Sequence, residues 1–245
     1  MQVTTLEIIP AIDIRGGKCV RLYQGDYGRE TVYSDDPVDT ALYWQSLGAS
    51  RIHIVDLDGA ASGKPGNYDI IREIANAVLI PTQLGGGIRD METVEMYLKA
   101  EVDRVILGTI AIEDPWLVGE ACRRYSDAVV VSIDTKDGYV ATRGWQLETK
   151  MKTVELVAEL SKLGAKRIVY TDISRDGTLT EPNFAQIYEL TNHTRMRIIA
   201  SGGVANINHL QLLQKLGVEG AIVGKALYTG DVKLKQALEI INRQP

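Results

Sequence analysis

The 245-residue chain has only two cysteines, Cys19 and Cys122, and only three histidines, His53, His193 and His209. The cysteines stand far apart, with no CxxC or Cys/His spacing, so neither a disulfide framework nor a zinc site is expected, and a reducing compartment fits. No serine-histidine-aspartate arrangement is evident, which leaves nucleophilic catalysis unsupported. A basic excess is missing too. The formal net charge is -5, which gives no footprint for nucleic acid, although local positive patches can still attract small anions. No apolar run approaches the ~20 residues that span a bilayer. The opening stretch MQVTTLEIIPAID lacks the basic and long apolar regions of a signal peptide. A cytoplasmic protein without membrane attachment is therefore expected. Neither a proline-rich linker nor a low-complexity tract interrupts the chain, so residues 1–245 read as one domain, of a length near the ~250 residues of a (β/α)8 barrel.

What the chain does have is alternation. Short apolar, β-branched runs recur at 6–13, 51–56, 78–84, 104–107, 128–134, 167–172, 196–200 and 220–224. Runs this apolar suit strands buried on both faces, while the stretches between them show helical spacing, as at Leu156, Leu160 and Leu163. Eight such units predict an α/β fold with a parallel sheet. The chain also repeats itself. A shift of 116 positions lays Leu47-Gly48-Ala49 on Leu163-Gly164-Ala165, Asp56 on Asp172, Asn67 on Asn183, Gly86-Gly87 on Gly202-Gly203, and Gly108 on Gly224. Asp13 and Asp134 are further counterparts, with five extra residues in the second copy. The expected architecture is a TIM barrel built from two repeated half-barrels, with an open doubly wound sheet as the weaker alternative.

In such a barrel the loops after each strand gather at the face that carries the chemistry. Each half offers glycines after its third and fourth strands: Gly86 and Gly87 with Gly108-Thr109, then Gly202 and Gly203 with Gly224-Lys225. Glycine lets the backbone approach an anion closely, so these loops and the helices after them are candidate phosphate cradles. Either loop alone is equally consistent with a tight turn. Paired loops point to a small substrate with a phosphate at each end, lying across the mouth. Between them, Asp13 and Asp134 end the first and fifth strands and face each other, a pair suited to general acid and base catalysis without a metal. The residues alone do not order the two roles. Asp56 and Asp172 read as loop-ordering or substrate-hydroxyl groups. His53 in the second strand is either a pore-facing contact or a core histidine, and His193 and His209 look like surface residues. Cys19 reads as a small buried hydrophobe rather than a reactive thiol. Trp145 reads either as a ring that stacks on a flat heterocycle or as a core residue, the polar neighbours Arg143 and Gln146 slightly favouring the first.

The motifs IPAIDIRGGKCVRLYQGD (9–26), HIVDLDGA (53–60), LGGGIRD (84–90), TDISRDGTLTEPN (171–183), ASGGV (200–204) and IVGKALY (222–228) together resemble the phosphoribosylformimino-AICAR-phosphate isomerases of histidine biosynthesis, over nearly the whole chain. The resemblance implies an Amadori rearrangement of an aminoaldose to an aminoketose on a bisphosphate; no cofactor or metal is expected, and the protein is expected to be a monomer. It implies that Asp134 is the general acid that opens the ribose ring and Asp13 the base that takes the C2′ proton. Thr171 would position the substrate, Arg89 and Asp176 would contact it, and the Gly144-Trp145 pair would sit in a loop that closes over the site. Two related families share these features. The cyclase subunit of imidazole glycerol phosphate synthase has a CLD motif where this chain has PAID, and a catalytic lysine to which Lys18 does not obviously correspond. A dual-substrate isomerase that also acts on phosphoribosylanthranilate has nearly the same site motifs and stays open as an alternative.

Overall fold

The computed structural model describes residues 5–142, 145 and 147–243. In chain order its strands are β1 (Glu7–Arg15), β2 (Lys18–Tyr23), β3 (Asp26–Ser34), β4 (Ile52–Asp56), β5 (Thr82–Gly85), β6 (Arg104–Leu107), β7 (Val129–Lys136), β8 (Tyr139–Thr142), β9 (Leu147–Lys152), β10 (Arg167–Asp172), β11 (Arg197–Ser201) and β12 (Gly220–Val223). Eight of them pair in parallel in the order β1, β4, β5, β6, β7, β10, β11, β12, and β12 pairs back onto β1, closing the barrel. Each of the eight apolar runs supplies one barrel strand. The third run is displaced: residues 78–81 lie outside β5, where Val78 ends the helix Tyr68–Ala77 and Leu79 is 92% exposed.

Alternation along the strands divides the interior in two. Ile9, Ala11, Ile106, Val130, Val169, Ile199 and Ile222 fill the barrel lumen, while their sequence neighbours, such as Ile8, Ile12, Leu107 and Val131, pack outward against the helices. The floor is ionic: Arg167, 1% exposed, meets Glu219 through two hydrogen bonds, and Arg51 pairs with Glu7. The helices between strands start where short polar side chains cap them. Asp36 and Asp114 do so just before Pro37 and Pro115, and Asp90 and Asn206 cap the helices Met91–Lys99 and Ile207–Lys215. Among the described residues, no helix is long and apolar enough to cross a membrane.

Four strands depart from the plain eight-unit pattern. β2 and β3 extend antiparallel from β1, and β8 and β9 from β7. Two-residue turns set them up. Gly16-Gly17 joins β1 to β2 and Asp137-Gly138 joins β7 to β8, with all four residues at positive φ, the backbone that tight hairpins need to match strand twist. Both extensions rise from the strands that carry the candidate catalytic carboxylates.

Candidate active site

The C-terminal ends of the barrel strands surround a cavity of about 270 Å³. All fifteen site residues expected from the sequence line it: Asp13, His53, Gly86, Gly87, Arg89, Gly108, Thr109, Asp134, Trp145, Thr171, Asp176, Gly202, Gly203, Gly224 and Lys225. Asp56 and Asp172 do not, although they too end strands. Asp56 is fully buried and accepts from the amides of Gly59, Gly66 and Asn67 and from the Asn67 side chain. Asp172 accepts from Ser174 and from Asn183 Nδ2 at 2.7 Å. Of the two roles open to these aspartates, ordering the loops describes their contacts. The bond from an aspartate to the asparagine eleven positions later occurs in both halves of the barrel.

The glycines are required by the backbone as well as by the cavity. Gly86, Gly87, Gly202 and Gly203 all have positive φ, and a β-carbon on Gly86 would run into the Asp56 carbonyl and one on Gly203 into the Glu181 carbonyl. So the loops are tight turns and cavity walls at once. The helices after the Gly86 and Gly202 loops begin with caps of their own: Asp90 accepts from the Thr93 amide and Asn206 from the His209 amide. By contrast the short helices Ile110–Glu113 and Lys225–Tyr228, after β6 and β12, carry no side-chain cap, and they begin at the cavity wall beside Thr109 and Gly224. Lys225 adds a positive charge there, donating to the Gly177 carbonyl at 3.0 Å.

The two facing carboxylates have different surroundings. Asp13 receives Arg21 Nη1 on Oδ2 at 2.5 Å. Arg21 comes from β2, next to Val20, the register partner of Asp13, and the same guanidinium lies over the Tyr228 ring at 5.6 Å and leaves no room for a side chain on Gly224. This arginine was not anticipated. Its signal was the Gly16-Gly17 turn, which folds KCVRLY back along the first strand. Asp134, on β7, is pushed above the ordinary carboxylate range by burial, and hydrogen bonds from Trp145 and Thr171 only partly oppose that. Asp176 is pushed up to about 6, chiefly by burial, with Arg21 opposing and Asp13 and Asp134 adding to the rise. The cavity therefore holds three carboxyl groups, one against a guanidinium and two inclined to keep their protons.

The other expected site residues line the same cavity. Trp145 stands over Gly25, where a β-carbon would strike its ring, and its indole N–H serves Asp134; Arg143, Gly144 and Gln146 lie outside the described residues. Arg89 is exposed on the rim, with its guanidinium against Gly63. His53 is buried and held down to about 3, by burial first and Arg21 second, so its ring is neutral. His193 is exposed, and His209 packs edge-on against Phe184. Cys19 is buried beside Thr40 and its thiol is pushed up to about 11 by burial, as suits an unreactive core residue. Lys18 pairs with Asp35 at 2.6 Å on the surface. Among the described residues, no cluster of three or more His, Cys, Asp or Glu is arranged to hold a metal ion.

The chain is similar to known proteins over nearly its whole length. The chain is 63% identical over 234 residues to a protein of Dehalococcoides mccartyi, covering 96% of this chain and 99% of the relative. It is 56% identical to one of Pelotomaculum thermopropionicum, over 95% and 91% of the two chains, and 53% identical to one of Chloroflexus aurantiacus, over 96% and 98%. Each relative is named a 1-(5-phosphoribosyl)-5-((5-phosphoribosylamino)methylideneamino)imidazole-4-carboxamide isomerase. The histidine biosynthesis protein family matches residues 7–233, and the chain belongs to that family.

Proposed function

We propose that the protein is the aldose-ketose isomerase of histidine biosynthesis that its relatives are named for, converting a bisphosphorylated aminoaldose to the aminoketose. The observation that carries this reading is the unequal pair of carboxylates in one cavity. Asp134 is inclined by burial to hold a proton, and Asp13 stands against Arg21. The relatives' substrate has two phosphoribosyl groups, which fits anion-binding loops on both sides of the mouth.

In the proposed reaction Asp134 gives its proton to the ribose ring oxygen. The C1′–O bond breaks and the nitrogen lone pair forms a Schiff base. Asp13 then takes the C2′ proton, the electrons return to nitrogen, and an enolamine results. Loss of the C2′ hydroxyl proton and uptake of a proton at C1′ complete the ketone, so no atom is gained or lost. Thr171, hydrogen-bonded to Asp134, and Arg21 hold the two carboxyls in place. The Trp145 ring, packed over Gly25 beside Asp134, covers the reacting centre and keeps water from hydrolysing the Schiff base. The test is turnover by the purified protein of the aminoaldose named by its relatives. Formation of the aminoketose is expected. A protein that binds the compound and leaves it unchanged would refute the assignment.

A further inference from the structure

Below the catalytic carboxylates the barrel lumen carries a polar step that the reaction does not explain. His53 and Gln83 are register partners on β4 and β5, and both lie on the inward face with Ala11 and Ile106. Gln83 is fully buried. Its Nε2 lies 3.1 Å from His53 Nδ1, and its Oε1 has no hydrogen-bond partner among the described residues. The neighbour on the other side is Arg104, the register partner of Gln83 on β6. Its Nη1 is also buried without a partner, and it belongs to the arginine layer with Arg51 and Arg167 at the barrel floor.

We propose that Gln83 is a positioning residue that fixes His53 as the Nε2–H tautomer, so that the ring offers the cavity a hydrogen-bond donor. An amide has a donating end and an accepting end, and the two ends of Gln83 meet different neighbours. Its oxygen is favoured on the side of the cationic arginine layer, which leaves the NH2 to face the imidazole. A ring nitrogen that receives an N–H must be the unprotonated one, so Nδ1 accepts and the proton sits on Nε2. The ring is neutral because burial, reinforced by Arg21, disfavours the imidazolium. His53 lines the cavity, and a substrate rich in hydroxyl and phosphate oxygens offers acceptors there. A donor at this place can serve phosphate and hydroxyl oxygens alike, whereas an acceptor could serve a hydroxyl alone. The substrate half of this inference rests on the proposed function, whereas the tautomer does not.

The experiment is a long-range proton–nitrogen correlation spectrum of protein labelled with nitrogen-15 in its three histidines, near neutral pH, with His53 assigned by its loss in His53→Asn. In the unsubstituted protein Nδ1 is expected to appear unprotonated and Nε2 protonated. In Gln83→Glu the carboxylate can only accept, so Nδ1 is expected to become protonated, and KM for the aminoaldose to rise about tenfold, with kcat changed far less, as for loss of one ground-state hydrogen bond. Mere loosening of the core would not reverse a tautomer. An Nδ1–H ring in the unsubstituted protein would overturn the inference whether or not the variant folds, and so would an unchanged tautomer in Gln83→Glu. The expected tautomer in a protein that does not turn over the aminoaldose would support the role of Gln83 while refuting the proposed function.

Discussion

Asp13 and Asp134 were visible in the sequence because each closes an apolar strand in a duplicated pattern, but nothing in the residues ordered their roles. The order depends on surroundings that only folding creates: a guanidinium folded back onto Asp13 from a hairpin, and burial around Asp134. Asp134→Asn and Asp13→Asn are each expected to lower kcat by roughly 10²–10⁴-fold, the usual worth of a positioned acid or base, with substrate binding largely kept. Steady-state rates together with calorimetric binding would check both parts. Asp176 allows a prediction about stability. Burial raises it to about 6, above an unfolded carboxyl near ~3.9, so between these values the folded state binds more protons. Its contribution to stability is full below the unfolded value and is lost as the pH rises through about 6. Asp176→Asn cannot ionise, so its melting temperature is expected to exceed that of the parent at about pH 8, with the advantage gone by about pH 4. Thermal melts across that range would show it, and equal melting temperatures throughout would contradict it.

At the level of elements, the glycine loops support a paired prediction. Gly86 and Gly217 both have positive φ, but a β-carbon on Gly86 meets the Asp56 backbone and one on Gly217 meets nothing within 4 Å. Gly217→Ala is expected to cost roughly 1–2 kcal/mol, the left-handed backbone penalty alone. Gly86→Ala adds overpacking, for about 3 kcal/mol or more in all. Urea denaturation of both variants separates the two contributions. The barrel strands were legible because runs such as AVVVSID are apolar on both faces. β2 and β3 were not, since KCVRLY interrupts its buried apolar residues with Lys18 and Arg21 and DYGRETVYS has no buried residue; neither gives the signal of a fully buried strand. The glycine pair at 16–17 and the Asp137-Gly138 turn were the available cues, and they were informative because two-residue hairpins demand positive φ. The run at 78–81 erred the other way. Its apolar residues end a helix and cross the surface, which hydrophobicity alone does not distinguish from a strand.

Over the whole molecule, the barrel separates chemistry from stability along its axis. The upper ends of the strands carry the cavity, and the lower ends carry buried ion pairs. Glu219, held below the usual carboxylate range despite burial by hydrogen bonds and charge from Arg167, is the partner of an arginine that is 1% exposed. Glu219→Ala would leave that buried guanidinium with only the more distant Asp127, at 3.9 Å, as its anionic partner, at an expected cost of about 3 kcal/mol, with kcat essentially unchanged in whatever fraction stays folded. Denaturant melts and assays scaled to folded protein would check both. The repeated motifs foretold the paired loops, and the structure supplies the reason they recur: Asp56 and Asp172 bind their loops through the same aspartate-to-asparagine contact. At the centre of the proposed function stand two unequal carboxylates performing one isomerisation. The most direct test is a steady-state assay of the purified protein on the aminoaldose, with phosphoribosylanthranilate assayed in parallel and Asp134→Asn as the comparison. Conversion of the aminoaldose to the aminoketose, slowed by roughly 10²–10⁴-fold in the variant, is the predicted result. Binding without conversion, or conversion undiminished in Asp134→Asn, would contradict it.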